Sequence, residues 1–209
     1  MRPGFLVLVL VLFAASAPVH AELVLNEFLA DPASDWNGDG EIDATLDEWV
    51  EVHNPGPDSV SLTAYWLRDG LGDTPHLNLF GTLQPGQTAV FYGHHAVAWQ
   101  QENGGGSSGL SLNNGGDTLV LLRTNEADPD QLDVVDSVTY PSHVGEDDRA
   151  SGRLLDGDAW VLFDGLNPYH GELAPLPTGC EPTPGATNAG DGGTPVTTHS
   201  WSAVKACLE

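Results

Sequence analysis

The chain has 209 residues, with 30 Asp and Glu against 6 Lys and Arg, a formal net charge of −24, 25 Gly and 15 Pro. So few cations exclude the basic patch that DNA, RNA or an anionic lipid surface would require. Charged residues at 17% and abundant Gly and Pro exclude a coiled coil or helical bundle, while 40% hydrophobic residues can build a core, so the charge does not signal disorder throughout.

Residues 1–21 read as an export signal. Arg2 precedes an apolar run over 5–15 that is short for a membrane span. Val19-His20-Ala21 then offers a small-residue cleavage site, with Ala15-Ser16-Ala17 as a second candidate. An uncleaved anchor is the competing reading. No second long apolar run follows, so the mature chain from Glu22 is expected outside the cytoplasm, secreted or periplasmic, without a membrane span. It keeps Arg68, Arg123, Arg149, Arg153 and Lys205 as its cations. Self-repulsion on this scale favours a salt-adapted surface, bound divalent cations, or both.

Short alternating runs rich in Val, Leu, Thr and aromatic residues predict strands over 22–29, 48–53, 59–62, 65–68, 76–80, 88–92, 118–122 and 134–140. Their spacing predicts an all-β, antiparallel sandwich over 22–189. Pro85-Gly86 presets one turn, and Asn114-Gly115-Gly116 supplies residues that tolerate positive φ. Residues 101–109 read as a Gly/Ser loop and 175–184 as a Pro-rich exit. Residues 190–209 read as a linker and a short C-terminal segment, whose 200–208 stretch has the only helical period. Cys180 and Cys207 allow one pairing in an oxidising compartment, which would staple the tail to the sandwich; two free thiols are the alternative.

One constellation carries chemistry. Residues 35–43 read D-x-N-x-D-G-x-I-D, and calcium takes six to eight hard oxygen ligands that a tight loop can present at alternate positions. Asp35, Asn37 and Asp39 would give side-chain oxygens, Glu41 its carbonyl, and Asp43 a direct or water-mediated ligand. Gly40 would permit the sharp turn, and Ile42 would pin the loop to an apolar neighbour. The spacing follows an EF-hand loop as far as Asp43 and then departs, because Leu46 stands where the bidentate acid belongs. Asp47 or Glu48 could close the shell instead. With no flanking helices, the expectation is a static structural Ca2+ in an insertion between the first two strands. The competing reading is an ion-free loop of Asx turns.

Other chemistry is weaker. The eight His show no H-E-x-x-H spacing, and no G-x-S-x-G is present. No catalytic residue is assigned. Tyr65, Trp66, Tyr92, Trp99 and Trp160 could form a sugar-stacking strip, but such residues more often fill a sandwich core. Arg153 reads as either a surface ion pair or a buried structural one.

The order of several blocks resembles the lamin tail domain. Leu25-Asn26-Glu27-Phe28-Leu29-Ala30-Asp31 is similar to its opening strand, and residues 47–54 to its acidic-aromatic strand ending in Asn. Trp66-Leu67-Arg68-Asp69, Leu83-Gln84-Pro85-Gly86 and residues 112–121 follow in order, with Ser151-Gly152-Arg153 and residues 182–188 completing a resemblance over 22–188. It implies an immunoglobulin-like fold, and its bacterial members often carry an Asp-rich insertion like this one. The function expected is a secreted, non-catalytic structural or adhesive module, calcium-stabilised, facing a protein or glycan of the cell surface. The alternatives are a carbohydrate-binding module of the cell envelope and an accessory domain of a secreted hydrolase system.

Overall fold

The computed structural model describes residues 23–188. Strands β1 (Val24–Leu29), β2 (Trp49–His53), β7 (Thr88–Tyr92), β10 (Ala150–Arg153) and β11 (Trp160–Phe163) form a five-stranded antiparallel sheet in the order β11-β10-β1-β2-β7. Strands β4 (Tyr65–Arg68), β5 (Leu77–Asn78), β8 (Gly116–Thr124) and β9 (Leu132–Pro141) form a second sheet in the order β5-β4-β8-β9, and the short β3 (Val60–Ser61) and β6 (Thr82–Leu83) pair with each other. This is the expected all-β sandwich.

Side-chain alternation assigns the faces. Val50 and Val52 of β2 join Phe28, Leu67, Phe91 and Leu121 in the main core. Trp49, Glu51 and His53 therefore point to the other face of the same sheet. On β1 the register slips between Leu25 and Glu27 opposite β2. Such a bulge re-aims the strand, so Leu25 and Phe28 both enter the main core while Glu27 and Leu29 face outward. Arg153 ties the two sheets together. Its Nε donates to the Leu25 carbonyl (2.7 Å) and its Nη2 to Asp136 Oδ2 on β9 (2.9 Å). Its guanidinium lies 5.1 Å from the centroid of Trp160. Arg153 thus makes a half-buried structural pair with Asp136, and its Nη1 also lies 3.8 Å from the exposed Asp158.

The outward face of the five-stranded sheet is itself covered. Leu29 and Trp49 pack with Ala150, Phe163 and Cys180 in a second cluster, edged by Trp36. Much of the cover is the last stretch of described chain. It runs beside β11, where the Leu162 amide donates to the Leu176 carbonyl (2.9 Å) and the Thr178 amide to the Leu162 carbonyl (3.0 Å). It then crosses β1 and β2, where the Thr183 and Gly185 amides donate to Glu27 and Glu51 (3.1 and 2.6 Å). The stretch read as a Pro-rich exit is therefore an integral layer, and β2 is buried along its whole length.

Strands β4 and β7 fall on the residues expected. Helix α1 (Gly93–Glu102) overturns the expectation of no helix before residue 200 and includes residues 101 and 102 of the supposed Gly/Ser loop. Its buried positions are Gly93, Ala96 and Gln100, spaced as one helical face but without apolar bulk. Strands β6, β10 and β11 were also unforeseen, and β10 reads Ala-Ser-Gly-Arg, poor in strand formers. The export signal, the 200–208 segment and Cys207 lie outside the described residues.

Phe28 is fully buried, with ring centroids 4.8 Å from Tyr140 and 5.9 Å from Trp160. Phe28→Ala should lower the unfolding free energy by about 3–5 kcal/mol in equilibrium denaturation, through lost burial and the cavity left between the sheets.

The acidic loop as candidate functional site

Residues 30–48 join β1 to β2 and contain no Lys or Arg. The loop is organised by its own carboxylates, each gathering backbone amides. Asp35 Oδ1 accepts from the amides of Gly38 (2.8 Å) and Asp39 (3.1 Å), and its Oδ2 from Gly40 (2.9 Å). Asn37 Oδ1 accepts from Asp39 and Asp39 Oδ1 from Glu41, both at 2.9 Å. Asp43 Oδ1 accepts from Thr45 and Leu46 (2.8 and 2.9 Å). Gly38 and Gly40 take positive φ, +77° and +94°, which residues with a Cβ adopt reluctantly. The sharp turn assigned to Gly40 is present.

Asp47 closes the loop from below. It is fully buried, its Oδ1 accepts from the amides of Trp36 (3.0 Å) and Asn37 (2.9 Å), and its Oδ2 accepts from Asp43 (2.8 Å). Asp35, Asp39, Glu41 and Asp43 are exposed. The loop thus brings Asp35, Asn37, Asp39, Asp43 and Asp47 into one hydrogen-bonded turn system. Among the described residues, however, no group of three or more His, Cys, Asp or Glu side chains converges on a point where an ion could sit. A cation would draw on a mixed donor set, with the amide oxygen of Asn37 and the Glu41 carbonyl beside the carboxylates. Ile42 departs from expectation: it is 62% exposed at the loop tip and pins nothing. The adjacent Glu41 and Asp43 are exposed too.

The loop is seated by a residue far away in sequence. Asp148 Oδ1 accepts from the amides of Ala33 (2.9 Å) and Ser34 (3.1 Å) and from the indole of Trp36 (2.7 Å), while its Oδ2 accepts from the Ser34 hydroxyl (2.6 Å). Asp148 does so from a left-handed backbone conformation, φ +52°. Trp36, so oriented, packs on Trp49 with centroids 6.0 Å apart. At the loop's exit, the Gly93 and His94 amides of α1 donate to the Glu48 and Leu46 carbonyls (2.7 and 3.2 Å). A Cβ on Gly93 would stand 1.7 Å from the Thr45 carbonyl oxygen, so only glycine fits there. Burial pushes the Glu48 carboxyl up to about 9, against backbone hydrogen bonds from Leu112 and Ser111. Nothing in the local sequence marked Asp148 or Gly93.

A family model described as Lamin Tail Domain matches residues 16–142. The chain belongs to the lamin tail domain family. The match spans the acidic loop and strands β1 to β9, while β10, β11 and the covering stretch lie beyond it. No curated protein and no solved structure matches the chain. This lamin tail domain is an immunoglobulin-like module. No helix among its described residues is long and apolar enough to cross a membrane. The aromatic residues considered for a sugar strip are dispersed: Tyr65 is core, Trp160 packs on Phe28, and Trp66 meets Trp99 edge to face at 81°.

Asp148→Ala would leave the amides and indole that seat the loop without acceptors. The expected result is a loss of about 1–3 kcal/mol in denaturant unfolding, with a change in the tryptophan emission of Trp36. Asp148→Asn, which keeps one acceptor oxygen, should lose less.

Proposed function

We propose that the chain is a non-catalytic, exported lamin tail module that serves as a rigid structural or adhesive unit of the cell surface. The observation that carries this reading is where the buried polar side chains go. Asp47 and Asp148 hold loop amides. Arg149 donates to the carbonyls of His143, Asn167 and Pro168, and Arg153 spans the two sheets. Asp47 and Asp148 are committed to fixing backbone, and the two arginines to carbonyls and one carboxylate, which suits a scaffold. The partner is a protein or glycan displayed beside it. The glycan-binding alternative would call for a coplanar aromatic row, and the edge-to-face Trp66–Trp99 pair does not favour it.

The finer reading places a structural Ca2+ in the β1–β2 loop, held by Asp35, Asn37, Asp39, the Glu41 carbonyl and Asp43, with Asp47 closing the turn. It rests on the hard-oxygen donor spacing, the positive-φ glycines and the absence of any Lys or Arg from residues 30–48. Calcium at about 100 times its dissociation constant should stabilise the fold by about 2.7 kcal/mol, raising the melting temperature of the wild type. Asp39→Ala should lose most of that gain, and magnesium should give less of it. An equal response of wild type and Asp39→Ala would reduce the effect to charge screening and remove the ion from the loop.

Export and the tail are read from one measurement. Mass spectrometry of the exported protein should find a mature chain beginning at Glu22, with no alkylatable thiol before reduction. Cys180 is buried against the second cluster, and a pairing with Cys207 would hold the tail there, worth about 3–4 kcal/mol by chain entropy. Two alkylatable thiols would refute the staple.

A further inference from the structure

Glu27 and Glu51 stand directly opposite each other on adjacent strands, on the outward face of the sheet. Both are fully buried. Two carboxylates so placed repel if both are ionised. Residues 182–188 lie over the pair, and the hydrogen bonds they make distinguish the two acids.

Glu51 Oε1 accepts from Asn26 Nδ2 (2.7 Å) and Oε2 from the Gly185 amide (2.6 Å). These two partners are pure donors, and the Thr88 hydroxyl, a third partner, can donate as well, as an ionised carboxylate requires. Glu27 differs. Its Oε1 accepts from the Thr183 amide (3.1 Å), but its Oε2 lies 2.9 Å from Thr183 Oγ1, which is also 3.1 Å from Asn188 Oδ1. A hydroxyl has a single hydrogen and cannot donate to both. Turning the Asn188 amide over does not remove the conflict, because its Nδ2 already donates to the Asn26 carbonyl (3.1 Å), which can only accept. Both contacts of Thr183 Oγ1 are hydrogen bonds only if Glu27 supplies a proton. The chain of donation then runs from Glu27 to Thr183 Oγ1, from Thr183 to Asn188 Oδ1, and from Asn188 Nδ2 to the Asn26 carbonyl.

The geometry points to Glu27 as a neutral carboxylic acid that, beside an ionised Glu51, forms a proton-dependent latch fastening residues 182–188 to the sheet and releasing them when it ionises. The groups around Glu27 favour this assignment. Glu51 faces it from β2. Asp156, held in a left-handed turn at φ +53°, adds a second negative charge and accepts from Asn26 Nδ2 (3.1 Å) and the Asn188 amide (3.0 Å). On β10 Glu27 faces the uncharged Gly152, and the neighbouring Arg153 turns away to Leu25 and Asp136. Thr183 and Asn188 carry no charge. Burial first, and then Glu51 and Asp156, push Glu27 up to about 8, while Glu51 rises to about 7, chiefly by burial. A carboxyl whose proton is held more tightly in the fold than in the unfolded chain stabilises the fold fully below the unfolded value. That contribution is lost as pH rises through the folded value. The latch, with Glu27 neutral beside an ionised Glu51, is therefore closed near neutral pH and loosens towards pH 9.

Carboxyl 13C titration of the full wild-type chain tests the assignment directly: the Glu27 Cδ signal should stay in its protonated position past pH 6 and move near pH 8. Over the same range the amide resonances of Thr183, Gly185 and Asn188 should move towards random-coil positions. Glu27→Gln is the neutral isostere, its amide donating to Thr183 Oγ1. It should hold those resonances in place at pH 9 and flatten the part of the fall in melting temperature that lies between pH 7 and 9. Thr183→Val, which breaks the relay, should release the segment at every pH. Titration of Glu27 in the ordinary carboxylate range would overturn the proposal. So would an E27Q pH profile parallel to the wild type, or failure of that neutral variant to fold.

Discussion

The architecture depends on one demand: the five-stranded sheet must bury both of its faces. The inner face meets the second sheet through Phe28, Val50, Val52 and Phe91. The outer face carries Leu29 and Trp49 beside Glu27 and Glu51, a mixture that neither water nor an apolar layer satisfies alone. The cover therefore needs both apolar bulk and backbone donors. Phe163 and Cys180 supply the first. Thr183 and Gly185 supply the second, reaching Glu27 and Glu51 across more than a hundred residues of chain. Prolines suit such a layer, since each removes an amide that would otherwise need a partner, and the amides of Thr178, Gly179, Thr183, Gly185 and Asn188 go to β11 or to carboxylates.

A second constraint follows from charge. With 30 acidic side chains and 6 Lys and Arg, ion pairing cannot satisfy the buried acids. The fold uses backbone amides instead, which are plentiful and cost no second ionised group. Asp35, Asp47 and Asp148 each accept two or more amides, and Asp164 accepts from Tyr169 and Gly179. One of the few cations is placed where carbonyls crowd. Arg149 is buried among the carbonyls of His143, Asn167 and Pro168, although Glu146, Asp147 and Asp148 precede it in the chain.

What could be read from the sequence follows the range of the interactions. Strands β4 and β7 were legible to the residue because alternation and turn residues are local signals. The Asx turns of the acidic loop and the turn at Gly40 were legible for the same reason. Helix α1 was not, because its buried face is built from Gly93, Ala96 and Gln100, and a hydrophobic period cannot be seen where the packed residues are small or polar. Strand β10 was hidden because Gly152 is there to make room: a Cβ would lie 2.7 Å from Asn188 Nδ2 and 2.8 Å from Glu27 Cγ. The seat of the loop was also hidden, since Asp148 lies more than a hundred residues from Ala33. The role of Ile42 was misjudged because an apolar residue in a loop was assumed to find a neighbour, whereas single exposed apolar residues are ordinary.

The acidic loop and the covering segment converge on one strand. Trp49 of β2 is packed by Trp36 from the loop, and two residues along, Glu51 accepts the Gly185 amide from the segment. Cα pairing then carries β2 to β1 on one side and β7 on the other. A cation ordering the loop would act through Trp36 on Trp49, and a proton on Glu27 would act through the facing Glu51. Both effects would bear on the same buried strand. A loop that fixes Trp49 narrows the positions open to Glu51, and a fastened segment keeps water from the face on which Trp49 lies. If the loop takes a cation and Glu27 holds a proton as proposed, β2 is the strand on which both would act.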